Sequence, residues 1–455
     1  MKTLNLKDNG YRGNWCCCTL TKDEYVYKYS GGLGTYCAKH QPFAVYSDKV
    51  KKTFFCWGGT YKTSHTKLLH MVSYYDHIKA IVPRPTILLD KNTTDAHENP
   101  VISLDEKGYI WIFSTSHGGL SSSYIHRSKR PYEIEEFELI RPVVLENDKK
   151  IPITNFSYMQ VHYIPRKGFI YFFTIYGKPA NRTIFFARSK DGIKWEGCTR
   201  LAAIQEGHYQ ISVANTQKAG TAFNFHPEKK ELVGLEYRTN LYYMETLDLG
   251  KTWQTVEGRK INLPLTQVEN SALVYDYQKE GLSIYLKDIQ FDKDGKPVIL
   301  YLTSKGWKPG PENCPRTLSI AHWKNGKWEI NSITTSDNNY DTGSLYIESE
   351  EIWRVVAPTE TGPQPYNPGG EVAMWTSRDE GKTWKRVKQI TRNSQYNHNY
   401  VRRPVNAHPD FYAFWCDGHG RKPSVSRLYF CDKEGNVYLL PQEMKKDFIK
   451  PEKMR

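Results

Sequence analysis

One short motif occurs three times along this chain, in segments that are far apart in the sequence. It reads SRDEGKTW at 377–384 and TLDLGKTW at 246–253, with a shortened copy, SKDGIKW, at 189–195. A Ser or Thr and an Asp accept hydrogen bonds from a tight turn, Gly supplies positive φ, and Trp packs between sheets. The repeat therefore predicts several copies of one small β unit, each with this turn between its two outer strands.

The segments between these turns read as short strands of four to eight residues separated by Gly, Asp-Gly or Lys-Gly turns. Examples are 101–104, 109–113, 169–173, 241–245 and 297–302. Long helical patterns are lacking, and aromatic residues make up 14% of the chain, with 32 Tyr and 12 Trp against 7 Met. That composition favours β-sheets over helical bundles.

These signals divide the chain into seven four-stranded units, and the division predicts a seven-bladed β-propeller. The units are 36–90, 91–150, 151–205, 206–270, 271–335, 336–393 and 394–445. We treat residues 1–455 as a single all-β domain, in which a strand near 24–29 closes the ring against the last blade and removes open sheet edges. Two separate β-sandwiches are the alternative, but no linker divides the chain.

Charge and cysteine content restrict the class of partner. The formal net charge is +14, so anionic partners are favoured. The basic residues are dispersed and no zinc-finger or RNA-recognition pattern occurs, so an acidic oligo- or polysaccharide is the expected partner rather than nucleic acid. No run of 18 apolar residues occurs, which excludes a helical membrane span. Nine Cys, three of them consecutive at 16–18, argue against a disulfide framework.

Candidate site residues follow from where side chains converge in a propeller, at the starts of the innermost strands. Histidines recur at these points, and two Arg are adjacent in the last unit. This set could move protons and hold a carboxylate. Its members are His97, His117, His208, His398, Arg402 and Arg403, with His408 and His419 soon after them in the last unit. Any single one of these histidines could instead be a hydrogen-bonded turn residue.

A Gly-rich approach, GGLGTYCAKHQPFA at 31–44, leads into the first inner strand. Glycine lets the backbone approach a ligand closely, and His40 then enters the strand between Lys39 and Gln41. The alternative is a turn whose histidine caps a neighbouring carbonyl group. The residues alone leave both readings open.

Several segments carry a resemblance to a known group of proteins. They include YKYSGGLGTYCAKHQPFAVY, DAHENPVISLDEKGYIWIF, GTAFNFHP, RTNLYYMETLDLGKTW and NHNYVRRPVNAHPDFYAFW. Over nearly its whole length the chain resembles the bacterial-neuraminidase-repeat propellers of polysaccharide-degrading bacteria. It is most similar there to α-L-rhamnosidases that release rhamnose from L-rhamnose-α-1,4-D-glucuronate caps of arabinogalactan. The resemblance implies a glycoside hydrolase, periplasmic or secreted, with His40 as its catalytic acid/base and Lys39 and Gln41 as neighbours.

The chain also resembles the seven-bladed ulvan lyases, which cleave beside a uronate by β-elimination. That resemblance implies proton transfer by a His and a Tyr, at His97, His117 and Tyr158, with an Arg that neutralises the carboxylate. The position expected for this Arg is Thr174, which counts against a lyase unless Arg182, Arg238 or Arg402 substitutes. A non-catalytic propeller that binds acidic glycans is the third alternative. A sialidase is disfavoured because the Arg-Ile-Pro opening is absent.

No cofactor is required by either chemistry, but one metal is considered. Cys198, His208 and His226 could provide three ligands of a structural zinc ion across adjacent strands, as in related lyases. Their spacing matches no standard short zinc motif. The alternative is that His226, in the segment FHP at 225–227, is a turn residue at a strand end.

Overall fold

The protein is described by a computed structural model, which covers residues 3–36, 39–119, 121–146, 149–177, 182–228 and 236–454. Its strands form seven antiparallel blades arranged as a β-propeller, and the central four-strand meander of each blade falls, to within one residue, in one of the seven units predicted from the sequence. The described residues contain only two short 3₁₀ helices, Ala96–Glu98 and Pro311–Asn313. No helix among these residues is long and apolar enough to cross a membrane.

In each of the first four blades, the chain runs back and forth from the innermost strand outward. Blade 1 consists of Ala44–Ser47, Lys52–Gly59, Leu69–Asp76 and Thr86–Asp90, with Leu6–Lys7 added at its outer edge. Blade 2 consists of Pro100–Leu104, Ile110–Ser114, Tyr124–Ser128 and Phe137–Ile140. Blade 3 consists of Ser157–Ile164, Gly168–Ile175, Thr183–Ser189 and Lys194–Ala202, extended by Val143–Glu146 and Lys149–Pro152. Blade 4 consists of Gln210–Ala214, Ala219–Phe225, Thr239–Thr246, Trp253–Gln254 and Lys260–Ile261, with Leu273–Tyr275 paired to its third strand.

The remaining three blades repeat this meander. Blade 5 consists of Ser283–Phe291, Pro297–Ser304, Arg316–Lys324 and Lys327–Ser336. Blade 6 consists of Ser344–Ile347, Trp353–Glu360, Glu371–Ser377 and Lys385–Gln389. Blade 7 consists of Asn397–Arg402, Ala413–Gly418, Leu428–Cys431 and Val437–Leu439, with Glu452–Lys453 at its edge. A separate pair joins Val82–Pro83 to Phe448–Ile449, so the end of the chain contacts blade 1.

The strand expected near 24–29 differs from the prediction. Tyr27–Gly32 is a strand, but it pairs with Trp15–Leu20 to form a hairpin, which we call the N-terminal hairpin. Among the described strand pairs, it forms no ladder with blade 7. The hairpin instead packs on that blade closely enough that a Cβ on Gly32 would lie 1.8 Å from the carbonyl oxygen of Asp417.

The recurring turn motif has the structural role that its residue types predict. In blade 6, the hydroxyl of Ser377 accepts from the amide of Gly381 at 2.8 Å, and Asp379 accepts from the amide of Thr383 at 2.9 Å. The Trp384 indole donates to the Gly381 carbonyl at 3.0 Å. Gly381 has a φ of +83°, and a Cβ there would lie 2.3 Å from Ile320 of the preceding blade. Each motif therefore fixes the turn between a blade's third and fourth strands and packs it on a neighbour.

Candidate active site

A cavity of about 160 Å³ lies where the inner strands of several blades begin. The N-terminal hairpin covers one side of it, with Lys28 and Tyr29 in the wall. Blade 2 contributes His97 from the segment before its first strand, and blade 4 contributes Tyr209, the residue before its own first strand. Blade 5 contributes Tyr285–Lys287, and the segment before blade 6 contributes Asn339, Tyr340 and Thr342. The starts of inner strands therefore do converge on one site.

Two imidazoles of this wall, those of His97 and His117, share one carboxylate behind them, that of Asp95. The two carboxylate oxygens of Asp95 contact Nδ1 of His97 at 2.5 Å and Nδ1 of His117 at 2.6 Å. The two rings stack with centroids 4.1 Å apart and planes 18° from parallel. Since each Nδ1 faces the carboxylate, each Nε2 is the atom available for chemistry.

The local backbone explains why Asp95 lies here. It is the N-cap of the 3₁₀ helix Ala96–Glu98, and its side chain accepts a hydrogen bond from the amide of His97 at 2.9 Å. One carboxylate thus caps the turn and orients both imidazoles. Although burial acts to raise the pKa of Asp95, the adjacent His97 and His117 hold it well below its usual range. Burial, followed by repulsion from His117, lowers the pKa of His97, so this imidazole is neutral at pH 7.

Two tyrosine hydroxyls contact the outer nitrogen of His97. Nε2 of His97 lies 2.5 Å from Oη of Tyr29 and 3.1 Å from Oη of Tyr36. Tyr29 comes from the N-terminal hairpin, and Tyr36 from the Gly-rich segment that follows it. The sequence analysis assigned neither tyrosine to the site. In the sequence, the segment 24–29, with tyrosines at 25, 27 and 29, predicts only a strand that closes the ring.

The cavity is strongly cationic. Its described wall contains a single carboxylate, on Glu236, which forms an ion pair with Lys28. The cationic side chains in the wall are Lys28, Lys39, Arg182, Arg238 and Lys287. Such a wall favours an anionic ligand, and guanidinium groups suit a planar carboxylate.

The two arginines share one aromatic ring. The guanidinium of Arg182 lies 4.7 Å from the Tyr209 ring centroid, and that of Arg238 lies 4.6 Å from it and 4.5 Å from the Tyr285 ring. One nitrogen on each arginine, Nη1 of Arg182 and Nε of Arg238, is buried and has no hydrogen-bond partner among the residues that the structure describes. The aromatic rings therefore position both cations while leaving N–H donors for a ligand.

Four of the predicted site residues meet in this cavity, namely Lys39, His97, His117 and Arg238. Lys39 donates a hydrogen bond to the carbonyl of Leu286 at 2.7 Å. It therefore links two parts of the cavity wall and also contributes a positive charge to it. Tyr158 lies just behind, 2% exposed, with its ring centroid 6.1 Å from that of His97. Its φ of +50° marks a bulge in the inner strand of blade 3. Thr174 is buried, and Arg182 and Arg238 supply the charge that Thr174 lacks.

His40 occupies a different environment. It is 0% exposed, lies outside the described wall of the cavity, and both of its ring nitrogens are buried without hydrogen-bond partners. Burial, followed by repulsion from His97, lowers its pKa well below the usual value. Its ring centroid lies 5.6 Å from that of Tyr158. This placement gives a substrate no access to the residue that the sequence analysis assigned as the catalyst.

The other predicted residues lie apart from this cavity. Gln41, Arg402 and Arg403 line a second cavity of about 180 Å³, further along the inner strands. His398 is buried, and its nitrogens are hydrogen bonded to Trp415 at 2.8 Å and to the Ser394 hydroxyl at 2.9 Å. These four are therefore not brought together with the imidazole pair.

The three residues considered for zinc are not gathered into one ligand cluster in the described part of the chain. Nε2 of His208 accepts from the amide of Ile204 at 2.8 Å, and its Nδ1 lies 2.7 Å from the carbonyl of Asn224, so both nitrogens are already used. His226 Nδ1 contacts the Tyr237 carbonyl at 3.1 Å. Within the described chain, the groups whose ligand atoms lie within 4.8 Å of one another do not include Cys198, His208 or His226.

Comparison with known proteins gives a family match and curated relatives. A family model described as "BNR repeat-containing family member" matches residues 70–336. An ulvan lyase from Nonlabens ulvanivorans is 23% identical over 350 residues, which cover 70% of each chain. An ulvan lyase from Alteromonas sp. (strain LOR) is 22% identical over 349 residues, which cover 70% of this chain and 68% of that one.

Solved structures agree on the fold. A PL25 ulvan lyase superimposes with a TM-score of 0.68 at 15% identity, covering 97% of both chains. A structure of such a lyase bound to -[GlcA(1-4)Rha3S]- gives a TM-score of 0.67 at 14% identity, again covering 97% of both chains. The relation to ulvan lyases is thereby confirmed.

The expected rhamnosidase is wrong. The relatives found by sequence are polysaccharide lyases and not glycoside hydrolases, so the hydrolase class and the rhamnose-capped arabinogalactan substrate are both withdrawn. That interpretation depended on a resemblance carried by several segments, and its choice of catalyst depended on the short motif around His40. A buried histidine can have the same sequence neighbours as a catalytic one, and sequence does not reveal solvent access.

Proposed function

Because this chain belongs to the BNR repeat-containing family and its cavity joins cationic groups to an imidazole pair, we propose that it is a polysaccharide lyase. It cleaves an acidic polysaccharide beside a uronate by β-elimination. The observation that carries this proposal is that Asp95 contacts both His97 and His117. The two imidazoles line the same cavity as Arg182 and Arg238. Ulvan lyase relatives support the same reaction class.

The reaction needs three groups, and the cavity supplies each of them. A uronate carboxylate must be neutralised so that its α proton, on C5, becomes acidic; Arg182 and Arg238 take this role with their unpartnered N–H groups. A neutral imidazole must remove that proton. The side chain of His117 is 25% exposed, more than the 9% of His97, so Nε2 of His117 is the base.

The leaving group must receive a proton. The electron pair of the C5–H bond forms the C4–C5 double bond as the bond from C4 to the glycosidic oxygen breaks. That oxygen takes its proton from the hydroxyl of Tyr29, which is held by Nε2 of His97 at 2.5 Å. The products are an unsaturated uronate at one new end and an ordinary hydroxyl at the other, with no water consumed.

The test uses the untagged full chain with ulvan, followed by ultraviolet absorbance and mass spectrometry. Elimination creates a double bond conjugated to the carboxylate, so absorbance rises and the products are one water lighter than hydrolysis products. Ulvan whose carboxylates have been reduced to alcohols is the matched control and is expected to give no products. Products of hydrolytic mass would contradict the proposal, as would binding without any cleavage.

A further inference from the structure

A second group of metal-ligating side chains lies away from the cavity, where blade 1 meets blade 7. It consists of His77, His408 and Asp410, and we call it the junction triad. His77 follows the third strand of blade 1, and the other two residues lie between the first two strands of blade 7. The proposed elimination uses none of them.

The backbone around the triad is held across the junction. The amide of Val405, in the connection that carries His408, donates to the Ala44 carbonyl at 2.8 Å, and the amide of Tyr46 donates to the Val405 carbonyl at 2.9 Å. The Tyr46 ring contacts both imidazoles, with centroids 5.2 Å from His77 and 4.8 Å from His408. The two blades therefore present these ligands in a fixed arrangement.

The distances suit a small ion. Nδ1 of His77 lies 3.8 Å from Oδ2 of Asp410, and Nδ1 of His408 lies 3.6 Å from the same oxygen. Tetrahedral zinc with bonds of about 2.0–2.1 Å places neighbouring ligand atoms ~3.3 Å apart. Both distances to Asp410 would have to shorten by a few tenths of an ångström to match this geometry. Its side chain is exposed, so it can move by that amount.

His77 provides an independent indication of a ligand. Its side chain is only 4% exposed, yet its Nδ1 faces Asp410 and is buried without a hydrogen-bond partner in the described part of the chain. Its other nitrogen, Nε2, lies 2.8 Å from the Thr53 hydroxyl. When Nε2 donates to Thr53, the lone pair stays on Nδ1, which is the arrangement found around metal-bound histidines. Burial, reinforced by His408, lowers the pKa of His77, so the imidazole is neutral at pH 7.

His408 presents the equivalent atom. The amide of Asp410 donates to its Nδ1 over 3.2 Å, which makes that nitrogen the unprotonated one. This hydrogen bond is long, and a metal ion at Nδ1 would replace it. The ligand atoms of the three residues all lie within 4.8 Å of one another.

We propose that the junction triad binds one divalent transition-metal ion of the zinc class, through Nδ1 of His77, Nδ1 of His408 and a carboxylate oxygen of Asp410. Water completes the coordination, because the triad supplies three ligands. The two imidazoles favour such an ion over magnesium or calcium, which prefer oxygen ligands. The bound ion would tie the first blade to the last and stabilise the closed ring.

The experiment measures zinc binding by the untagged full chain after EDTA treatment and dialysis, using titration calorimetry and metal analysis. Asp410→Asn is the main variant, since its side chain is 57% exposed and the change preserves shape. His408→Gln is the second variant. Asp447→Asn, at an exposed carboxylate whose partner is Arg84, is the matched control. Because Asp95, His97 and His117 also form a ligand cluster, every titration is repeated in the His117→Gln background.

We expect one zinc ion per chain in the wild type, in Asp447→Asn and in His117→Gln, with at least tenfold weaker binding in Asp410→Asn and His408→Gln. Saturating zinc should raise the melting temperature of the wild type by about 2–4 °C and leave that of Asp410→Asn unchanged. Equal zinc binding by the wild type and Asp410→Asn would overturn the proposal. So would an absence of binding by the wild type, or tighter binding of magnesium than of zinc.

Discussion

Tyr29 illustrates how a single side chain completes the cavity from outside the blades. It comes from the N-terminal hairpin, yet its hydroxyl reaches Nε2 of His97 at 2.5 Å, and its ring packs 4.5 Å from that of Tyr340. Tyr158, the tyrosine implied by family resemblance, lies behind the wall instead. The two tyrosines can therefore be distinguished by experiment.

Tyr29→Phe should lower kcat for elimination by about 10²–10⁴-fold with little change in KM, because only the donated proton is lost. Tyr158→Phe keeps its buried ring and should lower kcat by less than tenfold. Initial rates of unsaturated-uronate formation on ulvan measure both effects. A larger loss in Tyr158→Phe than in Tyr29→Phe would reverse the assignment of the proton donor.

Arg238→Ala should lower kcat/KM by about 10²–10³-fold, because one of two donors to the developing negative charge is removed. Arg238→Lys should recover only part of this loss, since an ammonium group lacks the planar fork and stacks poorly between Tyr209 and Tyr285. Steady-state kinetics on ulvan check this expectation. Arg130→Ala, at an exposed arginine of blade 2, is the control, and an equal loss there would point to bulk charge rather than a specific contact.

Of the individual residues in the candidate site, the sequence identified some and missed others. His97 could be identified because it precedes the inner strand of blade 2, His117 because it follows the second strand of that blade, and Arg238 because a lyase needs a cation. Asp95 was visible two positions before His97, and its ability to contact two imidazoles was missed. Tyr29 could not be placed, since its contact joins residues 68 positions apart and depends on how the hairpin docks.

Among the larger elements, the N-terminal hairpin positions part of the site without belonging to a blade. Its second strand carries Lys28 and Tyr29 into the cavity wall, and Gly32 at its end packs against the backbone of Asp417. A side chain at Gly32 would push the strand away from blade 7 and withdraw both residues.

Gly32→Ala should therefore raise KM and lower kcat, for a combined loss of at least tenfold in kcat/KM, and lower the melting temperature. The added methyl would lie 1.8 Å from the Asp417 carbonyl oxygen and 2.5 Å from the Ser426 hydroxyl, so the backbone must move. Gly119→Ala is the matched control, because a Cβ there meets no atom within 4 Å. Unchanged kinetics in Gly32→Ala would show that the hairpin is not needed for the site.

Blades were more predictable than the hairpin for a physical reason. Each blade is built from local meanders whose turns carry their own signals, such as the Ser377–Asp379 pair and Gly381 with its positive φ. In the hairpin, alternation predicts a strand near 24–29, which overlaps the observed Tyr27–Gly32, but the other strand, Trp15–Leu20, was not predicted. Which partner it would pair with depends on long-range packing, and alternation contains no information about that.

For the molecule as a whole, buried histidines link stability to pH. Burial lowers the pKa of His126, His162 and His208 to about 4, and that of His398 to about 3. An unfolded histidine titrates near 6.5. Between these values the unfolded chain binds protons that the folded chain does not, so acid favours unfolding.

The free energy of unfolding should be constant with respect to these groups above pH ~6.5 and fall by about 1.4 kcal/mol per pH unit for each of them below it. Urea unfolding at a series of pH values between 7 and 5 measures this slope. His162→Gln removes one of these titrating groups, so the slope should fall by the contribution of one proton. The glutamine can still form a hydrogen bond to the Ser212 hydroxyl, which His162 contacts at 2.9 Å. An unfolding free energy that does not change over this range would contradict the expectation.

The hairpin's docking has a consequence for how the protein comes into being. Residues 27–32 are made early, but the surface on which they rest is blade 7, which is made last. While the ribosome is still producing the chain, His97 and His117 can already be linked by Asp95, but the hairpin that carries Tyr29 still lacks the blade 7 surface on which it packs. Any catalysis must therefore await translation of the seventh blade, and a prematurely terminated product would carry the imidazoles without their proton donor in place.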